Sequence, residues 1–261
     1  MSTSKGGALL TTIRDLARRH GRERRGLALA EGVRLMEEAL AAGIPVRGAA
    51  VSPALEGTPR GSALKIALAG RGVPLVEVTP AELEALADTE HPQGIVAVVE
   101  PRAWTLDDIA TPRGSVALVL DAVQDPGNVG TILRTALGLG ASGLVALKGT
   151  ADLTNPKVLR GGMGASFRLP AVATDAGTLV EWARVRGVDL VVTAADGEPL
   201  GRLPRGGPPL ALVVGNEGAG VGPELMAAAR RRVAIPLARA VESLNVAVAA
   251  GILLYEVTRD A

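Results

Sequence analysis

The stretch VALVLDAVQDPGNVGTILRTALGLGASGLVA, residues 116–146, decides the fold. Val116 to Leu120 is apolar without interruption, the pattern of a strand buried on both faces. A polar, turn-rich loop follows, and Val129 to Gly138 carries apolar residues at helical spacing. A second apolar strand, Gly143 to Ala146, completes the unit. Strand, helix and strand in that order point to a parallel sheet, and such sheets bind ligands in the loops at the carboxyl ends of their strands. The loop Asp121 to Gly130 is therefore the first place to look for chemistry.

Outward from this unit the alternation continues. Leu190–Thr193, Leu210–Val214 and Arg232–Ile235 read as further buried strands, and Ala176–Arg186, Pro223–Ala229 and Asn245–Val257 as helices. Residues 115–261 are thus predicted to form a C-terminal parallel-sheet α/β domain. The stretch 101–114, with two prolines and Trp104, reads as a linker. Before it, helical patterns at Leu9–Arg19, Val33–Ala42, Ser62–Ala69 and Pro80–Ala87 alternate with strand patterns at Val46–Val51, Val73–Val78 and Gly94–Val99. Residues 1–100 form a second, smaller α/β domain.

Composition narrows the chemistry. Hydrophobic residues make up 48% of the 261, enough for a real core, but aromatics are only 2%, so that core is aliphatic. Nucleic-acid binding on aromatic stacking platforms is disfavoured for the same reason. With no cysteine, disulfides, thiol nucleophiles and Cys-ligated zinc are excluded; His20 and His91 make no metal-ligand pattern. The N-terminus lacks a signal-sequence pattern and no apolar run approaches a membrane span, so a soluble, cytoplasmic chain is expected. Residues 1–30 hold seven basic residues against two acidic ones, a net of +5. Arg22, Arg24 and Arg25 in this stretch form either a solvated helical face or a phosphate-contacting patch.

Three segments carry candidate chemistry, and one apparent motif does not. Gly138 to Gly143 matches G-x-G-x-x-G but ends a helix and enters a strand, the reverse of what a dinucleotide site needs; a helix C-cap and turn is the better reading. In the first segment Asn128 is placed to cap the following helix, and Arg134 is the only charged residue between Asp125 and Lys148. It calls for an anionic or carbonyl partner, in a salt bridge or on a ligand. The second segment, Gly215 to Gly222, follows a strand and opens a helix at Pro223. Its four glycines let backbone approach a ligand, and Glu217 argues against a phosphate cradle; the alternative is a plain tight turn. In the third segment, Ile235 to Asn245, Ser243 and Asn245 precede an apolar helix, as caps or as ligand groups.

Together, in this order and spacing, NVGTILR, GNEGAG and IPLARAVESLNVAVAAGILLYE closely resemble the three signature motifs of the SpoU (TrmH-like) family of SPOUT RNA methyltransferases. Glu31-Gly32 and His91-Pro92-Gln93-Gly94-Ile95 resemble that family's substrate-binding domain, which is similar to a small ribosomal protein. The resemblance implies a deep trefoil knot in the C-terminal domain and transfer of a methyl group from S-adenosylmethionine to a ribose 2′-hydroxyl. The implied substrate is structured RNA: large-subunit rRNA first, tRNA second; a catalytically silent RNA-binding factor on the same fold is the alternative. It implies a homodimer, no metal and no membrane. By position it makes Gly215, Ile235 and Leu244 cofactor-binding, and Arg134, Asn128, Glu217, Ser243 and Asn245 catalytic or substrate-positioning. Arg160 joins Arg22, Arg24 and Arg25 as an RNA contact, although many relatives carry Ser where this chain has Gly162. A free arginine keeps its proton to about pH 12 and above, which favours an orienting role for Arg134 over that of a base.

Overall fold

The computed structural model describes residues 3–199, 206–238 and 243–258. Contacts divide the chain into two units: Met1–Ala103 with Thr154–Phe167, and Trp104–Leu153 with Arg168–Ala261.

The first unit contains α1 (Thr3–Leu16), α2 (Arg19–Arg25), β1 (Ala28–Glu31), α3 (Val33–Ala41), β2 (Val46–Val51), α4 (Pro59–Gly70), β3 (Leu75–Glu77), α5 (Pro80–Glu84) and β4 (Ile95–Val99). The sheet order is β1-β4-β2-β3; β4 runs antiparallel to β1 and β2, and β2 parallel to β3. Period-two alternation explains the unbroken apolar run of β4. Ile95, Ala97 and Val99 join Met36, Leu64 and Leu68 in one core, whereas Val96 and Val98 join Ile13, Leu16 and Leu83 in another. Helices therefore cover both faces. β1 has no counterpart among the expected strands: its four residues are all buried but end in a carboxylate, Glu31.

The expectation that Arg22 faces RNA is corrected here. Arg22 is 5% exposed and donates from Nη1 to the carbonyls of Leu16 at 3.0 Å and Ala17 at 3.2 Å. It caps the orphan carbonyls at the end of α1, a use to which the helix dipole also draws a cation. Arg22→Ala is expected to cost about 1.5–3 kcal/mol, the range for hydrogen bonds to a charged group. A urea melt compared with Arg24→Ala, whose side chain is half exposed, checks this. Arg24 and Arg25 instead pair with Asp15 at 2.7 and 2.6 Å. The Arg25 hydrogen bond holds the Asp15 carboxyl below its usual pKa, partly opposed by desolvation and reinforced by Arg24.

The second unit begins with β5 (Val116–Leu120), α6 (Pro126–Gly138) and β6 (Gly143–Leu147). The chain then passes through Thr154–Phe167, which carries α7 (Pro156–Gly161) and belongs to the first unit. Leu159 and Phe167, the only phenylalanine, are buried in the same core as Met36, which is the physical reason for that assignment. The second unit resumes with β7 (Ala171–Thr174), α8 (Ala176–Arg186), β8 (Asp189–Pro199), β9 (Leu210–Val214), α9 (Pro223–Ala228), β10 (Arg231–Ala234) and α10 (Val246–Thr258). Its sheet order is β10-β8-β9-β5-β6-β7 and every pairing is parallel. β7 escaped the sequence reading because, as an edge strand, it buries only Val172.

Val119 and Val213 meet Leu179, Trp182 and Leu225 of α8 and α9 in one core, while α6 and α10 pack together beside β5, β6 and β9. Gly140, at φ +74, makes the turn after α6, so the apparent dinucleotide fingerprint is a helix end. The all-round apolar α10 is expected to be buried against both the sheet and a partner subunit, and within this chain one of its faces is covered. Its buried residues are Val246, Ala247, Ala250, Leu253 and Leu254, whereas Val248, Ile252 and Tyr255 are 52%, 42% and 54% exposed. Among the described residues no helix is long and apolar enough to cross a membrane.

Candidate active site

The loop after β5 turns into α6 through Asp125, whose carboxylate accepts from the Asn128 backbone N–H at 2.7 Å. Asp125 is thus the cap expected of Asn128; Asn128 stands three positions inside the helix with its side chain free for other work. A similar exchange occurs before α10. The cap there is Asn245, whose Oδ1 accepts from Ala247 N at 2.9 Å, and not Ser243.

These two asparagines meet a third segment. Asn245 Nδ2 donates to Asn128 Oδ1 at 3.0 Å, and Asn128 Nδ2 donates to Glu217 Oε1 at 3.0 Å. The same Glu217 oxygen accepts from Val246 N at 3.4 Å, at the start of α10. One chain of hydrogen bonds therefore ties together the loops that follow β5, β9 and β10. Both bonds to Glu217 use its Oε1.

Beneath this junction lies a cavity of about 570 Å³. Gly215, Ile235, Leu244, Ser243 and Glu217 line it, together with Thr193, Val214, Pro236 and Leu253. A smaller cavity of about 380 Å³ is lined by Gln124, Asp125, Asn128, Asn216, Glu217 and Val246. Asn216, Glu217 and Val246 border both, so Glu217 stands where two bound groups would meet. Residues 239–242 of the third segment lie outside the described residues.

The loop after β9 is closed by its own hydrogen bonds. Asn216 and Gly220 exchange backbone bonds at 3.0 and 2.9 Å, and Asn216 Oδ1 accepts from Gly218 N and Ala219 N. Asn216 Nδ2 donates to Ala122 O at 3.0 Å, and Asp121 accepts from Gly222 N at 2.7 Å. Asn216 and Asp121 therefore set the shape of the cavity wall, and the sequence reading named neither as a site residue. The available signal was an asparagine opening a glycine-rich turn, where its side chain routinely bonds the backbone two or three residues on.

Arg134 is not part of this junction. It is exposed and lines neither cavity, because the buried face of α6 consists of Val129, Ile132, Leu133 and Ala136. An exposed guanidinium needs no buried counter-charge, which corrects the expectation drawn from its apolar neighbours. Arg134 shares its side of the helix with Leu137, an exposed leucine one turn on. Arg24, Arg25 and Arg160 all lie in the first unit. Among the described residues no group of His, Asp or Glu is placed to hold a metal ion.

Comparison with known proteins gives this arrangement its family. The model of the SpoU rRNA Methylase family matches residues 115–255, and that of the MRM3-like substrate binding domain matches residues 10–97. An uncharacterized tRNA/rRNA methyltransferase of Synechocystis sp. is 34% identical, over 99% of this chain and 93% of its own length. The 23S rRNA (guanosine(2553)-2′-O)-methyltransferase RlmP of Bacillus subtilis is 42% identical over 66% of this chain and 67% of its own. The AdoMet-bound rRNA methyltransferase from Sinorhizobium meliloti superposes with a TM-score of 0.86 at 31% identity, covering 96% of this chain and 94% of that one. With three motif segments joined at the strand ends of a parallel sheet, and a family model matching more than half of the chain, the chain belongs to the SpoU rRNA methylase family.

Proposed function

We propose that this chain transfers a methyl group from S-adenosylmethionine to a ribose 2′-hydroxyl of large-subunit ribosomal RNA. The observation that carries the reading is the junction of Asn128, Glu217 and Asn245 at the rim of the cavity lined by Gly215, Ile235 and Leu244. The Bacillus subtilis relative is named for 2′-O-methylation of a guanosine in 23S rRNA, which favours rRNA over tRNA.

The larger cavity suits the donor. Its volume lies within the roughly 300–1,000 Å³ of small-molecule sites. At its wall a Cβ on Gly215 would come within 2.3 Å of the Gly220 carbonyl, so only glycine lets the backbone lie so close there. Gly215, Ile235 and Leu244 would hold the cofactor, largely through backbone groups. When bound, S-adenosylmethionine supplies a methyl group on a sulfonium, whose departure leaves a neutral thioether.

The protein's own task is then alignment and removal of one proton. Asn128, Ser243 and Asn245 position the ribose. Glu217 receives the hydrogen bond of the 2′-hydroxyl on Oε2 while Oε1 stays tied to Asn128 and Val246, so the carboxylate is oriented before substrate arrives. Arg134 orients the hydroxyl's surroundings by contact with an RNA phosphate, a bidentate partner for a guanidinium.

A homodimer belongs to the same proposal. The exposed Val248, Ile252 and Tyr255 of α10 and Leu137 of α6 form an apolar face of the kind that marks an interface. Association through it would put Arg134 at the subunit boundary. Arg24, Arg25 and Arg160 are the arginines proposed to meet RNA, in the cytoplasm, and the family's trefoil knot is carried by the second unit.

Incubating the chain with labelled S-adenosylmethionine and transcribed 23S rRNA or tRNA, then mapping 2′-O-methyl groups, tests the reading. One new site in 23S rRNA is expected; methylation of tRNA alone would overturn the choice of RNA, and no transfer to either would overturn the activity. Arg134→Ala should abolish transfer while calorimetry shows unchanged cofactor binding. Near-normal turnover would remove Arg134 from the mechanism.

A further inference from the structure

We propose that a cavity within the first unit, distinct from those of the candidate active site, holds one unpaired base of the RNA other than the nucleotide that is methylated. This rests on the RNA substrate proposed above. The cavity measures about 230 Å³ and is built by three remote pieces of chain: Glu31 and Arg34 around the start of α3, His91 and Gln93 before β4, and Arg160 of α7 with Met163 just after it. Arg160 and Met163 lie beyond residues 10–97, so this wall is not supplied by the stretch that matches the substrate-binding model.

The lining is tied together by hydrogen bonds. Glu31 is 4% exposed; its carboxylate accepts from Asp88 N at 2.9 Å, from the Thr89 hydroxyl and from Arg160 at 3.2 Å. Arg160 also reaches Asp88 at 2.8 Å, so its planar guanidinium is pinned by two carboxylates with further N–H groups left over. Gln93 Oε1 accepts from Val33 N at 3.1 Å, capping α3 where Gly32 has no side chain to do so, and this leaves the Gln93 amide NH₂ as a donor. Arg34 and His91 are exposed at the rim. Met163 takes φ +48, a conformation a bulky residue adopts only when its surroundings enforce it.

Size and charge select a base over a phosphate. The volume falls below the roughly 300–1,000 Å³ of sites for drug-sized molecules, which leaves room for a ring and not for a run of nucleotides. Arg160 pairs with both Glu31 and Asp88, so its charge is already met inside the cavity and does not wait for an anion. What remains is a mixed set of donors and acceptors beside an apolar thioether, the chemistry of a base edge and a ring face. Unpaired RNA bases are recognised by hydrogen bonds to their edges and by stacking on aromatic or guanidinium planes. In a chain with 2% aromatic residues the stacking role falls to arginine.

Chemical probing of 23S rRNA bases with dimethyl sulfate and kethoxal, in the presence of the cofactor-loaded full chain, tests the assignment. The wild type should protect an unpaired base separate from the methylated nucleotide. Arg34→Ala and His91→Ala, both exposed rim positions, should lose that protection and raise KM for RNA about tenfold or more, with kcat and cofactor affinity within about twofold of wild type. Protection retained with unchanged KM in both variants would overturn the proposal. So would weakened binding with protection intact and a salt slope lower by about one, the mark of a phosphate contact. Normal methylation by the wild type alongside either of those results would remove the cavity and leave the methyltransferase reading standing. A wild type that transfers no methyl group would instead remove that reading.

Discussion

Asn128→Asp is expected to lower methyl transfer by about 100-fold or more at neutral pH, although it changes only one atom pair. Asn128 serves as donor to Glu217 and acceptor from Asn245, both at 3.0 Å. A carboxylate keeps the second bond and loses the first, and it sets two negative charges about 3 Å apart. At an effective dielectric constant of about 20 the repulsion is on the order of 5 kcal/mol, so Glu217 must swing away or one of the pair must take a proton. Either outcome removes the aligned acceptor, and misplacement by about 1 Å is worth on the order of 10²-fold. The sign of the pH effect follows. The repulsion exists only while both carboxylates are charged, so the variant's loss of stability shrinks as pH falls and the pair takes up a proton. Thermal melts across pH, run beside turnover assays, check both halves; equal stability deficits at neutral and acid pH would refute the charge argument.

Gly215→Ala should abolish measurable cofactor binding, read by calorimetry. The new Cβ would lie 2.3 Å from both the carbon and the oxygen of the Gly220 carbonyl and 2.5 Å from Val221 N. Those are backbone atoms in a tight loop closed by the Asn216 and Gly220 pairing, so no side chain can turn aside. The loop must open, and with it the wall that Asn216 holds against Ala122. Overpacking of this kind costs about 1–3 kcal/mol in stability. Gly218→Ala is the control: its Cβ would meet only Asn216 Oδ1, at 3.5 Å, and cofactor binding should persist. If both variants bind alike, the close approach at Gly215 is not what shapes the cavity.

Much of the site was legible because its residues sit in short motifs at strand ends. Asn128, Glu217, Ser243 and Asn245 could be named from spacing and resemblance, and they lie around the two adjoining cavities. The assignment of caps was not legible. Asp125 and Asn128 both suit a helix start, and only the backbone decides which carries the cap and which is released to meet Glu217. Arg22, Arg24 and Arg25 likewise look equivalent in a basic stretch. Whether a guanidinium turns inward depends on where α1 ends and which carbonyls it leaves unpaired, and that placed Arg22 in the interior while Arg24 and Arg25 found Asp15.

By itself the sequence determined the class of fold and the location of the candidate chemistry, because uninterrupted apolar strands alternating with helices allow little but a covered parallel sheet with its loops at one end. The tertiary structure decided what no local pattern encodes. It joined the three segments from Asn128 to Asn245 through side-chain hydrogen bonds between residues 89 and 117 positions apart, left one face of α10 uncovered, and placed Thr154–Phe167 in the first unit. Each of these depends on contacts distant in sequence: the burial of one phenylalanine, the partner of one amide, the side of a helix that meets another element. Periodicity records that a residue is apolar or polar, and only packing chooses which neighbour satisfies it.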